Sequence, residues 1–205
     1  MDQADDLKLV HRAKSGDDAA FTELVNRHGA RVYHHALRLM GNAQDAEEVL
    51  QDTFLQVYRN LDSFEERSRF STWIYRIATN EALMRLRKAH RKREVFFDDS
   101  LGKGERWFRE EIRDFSRSAL EELLDAEKIR LLQQALSEVP EEYRAVFALR
   151  DIDGLSNAEV AEVLDLSVPA VKSRLHRCRV YLRDRLSLLL GEGKAAHSGE
   201  EKPQR

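Results

Sequence analysis

Apolar residues in this chain recur at intervals of three and four rather than two, so the sequence predicts helices nearly throughout. Phe21, Leu24, Val25, His28, Val32, Ala36, Leu39 and Met40 trace one helical face. Gly41-Asn42 closes it, and Ala46, Val49, Leu50, Thr53, Phe54, Val57 and Leu61 trace a second, so the two helices should pack as a pair. Asp62 to Ser68 breaks the period. A third helix then sets Phe70, Trp73, Ile74, Ile77 and Ala78 on one side and ends in a basic block, Arg85, Arg87, Lys88, Arg91, Lys92 and Arg93, with no acid inside it. From Glu94 to Asp125 the pattern weakens. Asp98 to Gly104 is turn-like, and the charged stretch after it carries only scattered Trp107, Phe108, Ile112 and Phe115. Helical period resumes with Ile129, Leu132 and Leu136, pauses at Val139-Pro140, and continues through Tyr143, Val146, Phe147 and Arg150. With three prolines and nine glycines in 205 residues, breakers are scarce. The expectation is an all-α protein of two small helical domains, 1–93 and 126–190, joined by a partly flexible acidic linker, 94–125, and followed by a disordered tail, 191–205.

The sharpest local signal lies near the C-terminus. Ser156-Asn157-Ala158-Glu159 reads as a capping box, in which the Ser156 hydroxyl accepts from the amide three residues on while Glu159 reaches back. The helix it starts is small and apolar, with Ala158, Val160, Ala161, Val163 and Leu164. Asp165-Leu166-Ser167 makes a short turn, Ser167 caps a second helix, and Pro169 is tolerated in its first turn. This spacing predicts a helix-turn-helix. On the second helix Val171, Leu175, Cys178 and Leu182 share one face and should be buried, which makes Cys178 a core thiol. Pro169, Lys172, Ser173, His176 and Arg177 face the other way, suited to the edges of bases in a major groove. Arg174, Arg179 and Arg183 lie toward the flanks, where they are expected to hold phosphates.

The net charge of −3 argues against DNA only until its distribution is read. One basic block ends the third helix, another runs from Lys172 to Arg185, and acids lie between them. The second helix crowds Asp45, Glu47, Glu48, Gln51 and Asp52 into its first turns, where they favour the helix dipole but repel DNA. An acidic face and a basic face on one chain suggest two partners, a basic protein surface and a nucleic acid. Enzyme chemistry finds little support: there is no Gly-rich phosphate loop or nucleophile elbow. The single cysteine excludes an internal disulfide and a multi-cysteine zinc site. His34 and His35 point in different directions, and His28 and His35 share a face with no obvious carboxylate or thiol beside them. The expectation is therefore a non-enzyme without metal or cofactor. No apolar run is long enough for a membrane span, and the acidic first residues lack a secretion signal, which predicts a cytoplasmic protein without membrane insertion. A repressor or activator that binds operators alone would explain the C-terminal half equally well, but not the acidic face.

These residues resemble the extracytoplasmic-function branch of the sigma-70 family of bacterial RNA polymerase sigma factors. The run Asp45 to Phe54 is similar to the family's polymerase-binding segment, Phe70 to Asn80 to its promoter-opening segment, and Val139-Pro140 through Leu155-Ser156 to Leu175 to its domain for the upstream promoter element. The resemblance implies a transcription initiation factor that binds core polymerase at the β′ clamp helices and β flap, recognises and opens promoters of a stress or envelope response, and answers to an anti-sigma factor. It places Asp45, Glu48, Gln51, Asp52 and Phe54 at or beneath the polymerase contact. Phe64, Ser68 and Asn80 fall around a pocket for a flipped-out base, with Arg76, Arg85, Arg87 and Lys88 on the same downstream promoter DNA. Ser167, Pro169, Lys172, Ser173, Arg174 and Arg177 fall on upstream promoter DNA, and Trp73 is mainly a core residue. The linker would thread toward the polymerase active centre and RNA exit path. Glu65-Glu66-Arg67 stands where many relatives have a glycine, so the loop's backbone path and base preference do not carry over.

Overall fold

The computed structural model describes residues 3–90 and 126–197, and all regular structure among them is helical. Helix α1 (Gln3–Lys14) precedes the pair α2 (Asp18–Met40) and α3 (Ala43–Arg59), and α4 (Phe70–His90) completes the N-terminal half. The boundaries follow local chemistry. Asp17 caps α2 by accepting from the Ala20 amide at 3.1 Å. Gly41 ends it at φ 78°, a left-handed conformation that glycine adopts without steric cost, and its N–H reaches the Leu37 carbonyl at 2.8 Å. Asn42 then caps α3 through the Asp45 amide, so the predicted break at Gly41-Asn42 is a C-cap followed directly by an N-cap. Helix α1 had no counterpart in the periodicity because its apolar positions are sparse, yet Leu9 and Val10 are buried in the core of this half.

The C-terminal half comprises α5 (Ala126–Glu138), α6 (Glu141–Phe147), a π-type turn over Ala148–Ile152, α7 (Asn157–Leu164) and α8 (Val168–His197). Pro140 lies just before α6, where its missing N–H costs nothing. The Asp153 amide reaches back five residues to the Ala148 carbonyl, and this wider turn redirects the chain before Gly154 at φ 79°. Helix α8 continues past Gly191 and Gly193, where composition predicts a tail. Two glycines cost about 1 kcal/mol each relative to alanine, and the adjoining Glu192, Lys194, Ala195 and Ala196 are good helix formers. The expected linker, with Trp107, Phe108, Ile112 and Phe115, lies outside the described residues, as do Arg91, Lys92 and Arg93.

Each half has its own core. Leu24, Val32, Phe54, Val57, Phe70 and Ile74 fill the first, while Leu136, Val146, Leu149, Val160, Val171, Leu175, Cys178 and Leu182 fill the second. Each such side chain contributes about 1.5–3 kcal/mol by leaving water. A third cluster lies on the seam between the halves, where Ala36, Leu39, Ala46, Val49, Ala82 and Leu83 meet Ala145 and Ala148. The alanines let α2 and α4 approach α6 closely. Tyr75 of α4 crosses into the second core, and burial, reinforced by Asp153, pushes its hydroxyl pKa up to about 12.

Candidate DNA and protein interfaces

Helix α3 turns a mixed face outward. Glu48, Gln51 and Leu55 are exposed and Asp52 is half-buried, whereas Phe54 lies beneath them in the core. Asp45 serves its own helix: its amide takes the Asn42 cap, and its carboxylate accepts from Asn42 Nδ2 at 2.7 Å. Arg85 of α4 lies across the acids, donating from Nη1 to Glu48 Oε2 at 2.5 Å and from Nη2 to Asp52. Asp52 first and Glu48 second raise its pKa further. The fold thus joins residues that the sequence assigned to different partners. It also exposes Leu55, Tyr58 and Met84, large apolar side chains missing from the expected site. Their signal was legible in principle, since Leu55 and Tyr58 fall off the apolar stripe that Phe54, Val57 and Leu61 define.

On α4, Arg76, Asn80, Met84 and Arg87 follow at helical spacing and all are exposed, with Lys88 exposed beside them. At the other end of α4, Phe64, Phe70 and Trp73 form a ring cluster with centroids 5.3–5.9 Å apart. Phe64 is buried and Trp73 half-buried, so Phe64 supports the loop from below, and the expectation for Trp73 agrees with its packing. Ser68 is half-buried. Glu66, in the middle of the Glu65-Glu66-Arg67 stretch, adopts φ 60°. A left-handed conformation costs an L-residue about 1–2 kcal/mol, so the loop keeps a glycine-like backbone path at some expense. Glu66 Oε1 lies 3.2 Å from His11 Nε2. A cavity of about 300 Å³ opens beside the loop's end, between Gln3, Arg31, Arg69 and Ser71, with the buried His28–Asp6 pair and Phe70 in its wall.

The helix-turn-helix forms as its caps require. Ser156 Oγ accepts from the Glu159 amide at 3.2 Å, and Glu159 Oε2 accepts from the Ser156 amide at 2.8 Å. Asp165 takes the left-handed position of the turn at φ 53°, and Ser167 Oγ caps α8 through the Ala170 amide at 3.3 Å. Val171, Leu175, Cys178 and Leu182 are all buried, and burial pushes the Cys178 thiol up to about 12, as befits a core residue. Ser167, Pro169, Lys172 and Ser173 are exposed, and His176 and Arg177 are half-buried along the same helix.

Several arginines of α8 have internal partners. Arg179 forks onto Asp151 with contacts of 2.8 and 2.6 Å, and Arg185 onto Glu138 with 2.7 and 2.9 Å. Arg174 pairs with Glu142 at 3.2 Å and lies over the Tyr143 ring, while Arg177 Nη1 reaches the Tyr143 hydroxyl at 3.4 Å. Arg183 meets its neighbour Asp184. The expectation that Arg179 holds phosphate is corrected here, because its guanidinium is committed to a buried carboxylate of the π-type turn. The histidines have partners that the sequence did not reveal. His28 Nε2 lies 3.0 Å from Asp6, while His35, fully buried, has Nδ1 2.7 Å from Asp153 and Nε2 2.9 Å from Thr79 Oγ1. Both carboxylates are there, supplied by elements far away in the sequence. Arg38 also donates to Asp153, so one carboxylate from the C-terminal half ties two residues of α2 across the seam. Among the described residues no cluster of His, Cys, Asp and Glu has the makings of a metal site, and no helix is long and apolar enough to cross a membrane.

Comparison with known proteins finds a match for each half. The Sigma-70 region 2 family matches residues 24–92, and Sigma-70, region 4 matches residues 129–182. The ECF RNA polymerase sigma factor SigW of Bacillus subtilis is 35% identical over 183 residues, covering 87% of this chain and 95% of the relative. The ECF RNA polymerase sigma-E factor of Escherichia coli is 32% identical and covers 92% and 98%. Among solved structures, CnrH in complex with the cytosolic domain of CnrY matches with a TM-score of 0.62 at 30% identity, covering 92% of this chain and 98% of that one.

Proposed function

Because this chain belongs to the ECF sigma factors of RNA polymerase, we propose that its two outward faces divide the work of initiation between core polymerase and promoter DNA. One observation carries this reading. An acidic and apolar face on α3 and a polar reading face on the early turns of α8 occur in one chain, and each suits a partner the other would repel. On the first face Glu48, Gln51 and Asp52 meet the basic β′ clamp helices, Asp45 and Phe54 set the helix's start and its underside, and Leu55 and Tyr58 add apolar area. On the second, Lys172, Ser173 and Arg177 reach base edges and phosphates of the upstream element, with Ser167 and Pro169 shaping the helix's entry and Arg174 at its flank.

Downstream DNA follows α4. Arg76, Arg87 and Lys88 track the backbone, and Asn80 and Ser68 offer hydrogen bonds to an unstacked base above the Phe64 ring cluster. Arg85 acts here by neutralising the α3 acids nearest the DNA. The chain divides at residues 93 and 125, α8 carries the C-terminal domain on through the first residues of the expected tail, and the linker approaches the polymerase active centre. The protein works in the cytoplasm, carries out no catalysis of its own and needs no cofactor. An anti-sigma protein restrains it, and the C-terminal half also engages the β flap.

In vitro transcription tests this. Purified chain with bacterial core polymerase on a pool of genomic fragments gives discrete starts that share paired upstream motifs and are absent with core alone. Tight binding to duplex DNA by the chain alone, with no polymerase-dependent starts, would overturn the reading in favour of a stand-alone regulator.

A further inference from the structure

A cavity of about 650 Å³ lies on the seam between the halves, walled by the end of α2 on one side and by α5, α6 and the π-type turn on the other. Its size falls in the range that encloses a small molecule. Its charge is one-sided. Arg38, Arg130, Arg144 and His34 line it, and none of the described lining residues is acidic. Two guanidinium nitrogens, Arg38 Nε and Arg144 Nε, are buried without a hydrogen-bond partner.

Arg144 is the more telling of the two. It is only 6% exposed, yet no carboxylate among the described residues forms an ion pair with it, unlike Arg38, which has Asp153. Burial pulls its pKa below the usual arginine value, against partial support from Glu141. A buried, unpaired cation is costly, and proteins keep one chiefly where something else supplies the counter-charge. Elsewhere in this half the buried arginine is matched: Arg179 has Asp151.

We propose that this cavity binds a phosphate-bearing small molecule of nucleotide size, held across the two halves. Arginine forks match phosphate oxygens two at a time, and several converging cations favour a multiply charged anion over a single carboxylate. Leu37, Leu132 and Ile152 provide apolar wall for a flat ring system, and the amides of Asn42 and Gln133 provide donors and acceptors for its edge. Such a ligand touches α2 and α5 together, so by linkage it favours the docked arrangement of the halves.

Titration calorimetry and thermal unfolding of the full chain with magnesium-free ADP, pyrophosphate and adenosine test the site. ADP binds saturably and raises the unfolding midpoint, pyrophosphate binds more weakly, and adenosine alone weaker still. Arg144→Gln loses about tenfold or more in ADP affinity without lowering the unfolding midpoint of the free protein. Arg130→Gln, at an exposed position, serves as a second variant that leaves the core intact and weakens ADP several-fold. The absence of saturable binding by both ADP and pyrophosphate overturns the proposal. Equal ADP binding in both variants overturns it too, as does a single-stranded oligonucleotide that displaces ADP at far lower concentration, which would make the cavity part of a nucleic-acid path.

Discussion

Arg85 on α4 and Arg179 on α8 each fork onto carboxylates of another element, but the first pairing lies at the surface, with Asp52 41% exposed, whereas Arg179 and Asp151 are 16% and 6% exposed. In sequence both arginines belong to basic runs of similar appearance. After folding, α4 keeps Arg76, Arg87 and Lys88 exposed, while on α8 Arg174, Arg179 and Arg185 are tied to Glu142, Asp151 and Glu138. The difference teaches that a count of basic residues overstates the charge available to DNA. Where a run lies on a helix packed through most of its circumference, much of its charge balances the domain's own acids, and a few early residues do the reading.

Breaking the buried pair gives the largest effect. Arg179→Ala leaves Asp151 uncompensated in the interior and destabilises the C-terminal half by about 3–5 kcal/mol, read from urea unfolding. A loss below 1 kcal/mol would return Arg179 to the surface group and erase the contrast. Arg177→Ala acts on DNA instead, lowering discrimination at one base pair by about 1–3 kcal/mol in competition binding with a set of single-base promoter variants. If base preference stays the same, the reading face lies elsewhere on α8.

On α4 the effects are smaller. Arg85→Ala costs at most about 1 kcal/mol of stability, because an exposed ion pair gains little over its hydrated partners. Arg87→Ala leaves unfolding unchanged and lowers the salt dependence of promoter binding by the polymerase complex by about one unit of slope. The smallest effect concerns pH. His176 sits among the arginines of α8, and burial first, then Arg183, Arg179 and Arg177, lower its pKa. His28 is lowered as well, by burial, despite Asp6. A histidine with a depressed folded pKa binds a proton more readily when unfolded, so its share of stability is present above about pH 6.5 and lost as the pH falls below it. Unfolding midpoints therefore drop between pH 7 and pH 5, and His176→Gln flattens part of that slope.

The fold was largely legible because its determinants are local. A 3.6-residue period names the apolar stripe of the helices after α1, and Ser156, Glu159 and Ser167 announce caps whose partners lie three residues away. The candidate site was legible in its helices but not in its charges. Glu48 and Arg85, 37 residues apart, carried no sign of their pairing, and neither did the histidines, whose carboxylates stand 22 and 118 residues away.

What the sequence determined alone, then, is the helices after α1, the buried side of each, and the helix-turn-helix with its core thiol, since these follow from contacts within one or two turns. Only the tertiary structure decided which charges remain for partners, where Leu55, Tyr58 and Met84 come to the surface, and how Asp153 joins the halves through His35 and Arg38. Periodicity shows which face of a helix is apolar, but the element packed against that face is selected by the whole chain at once.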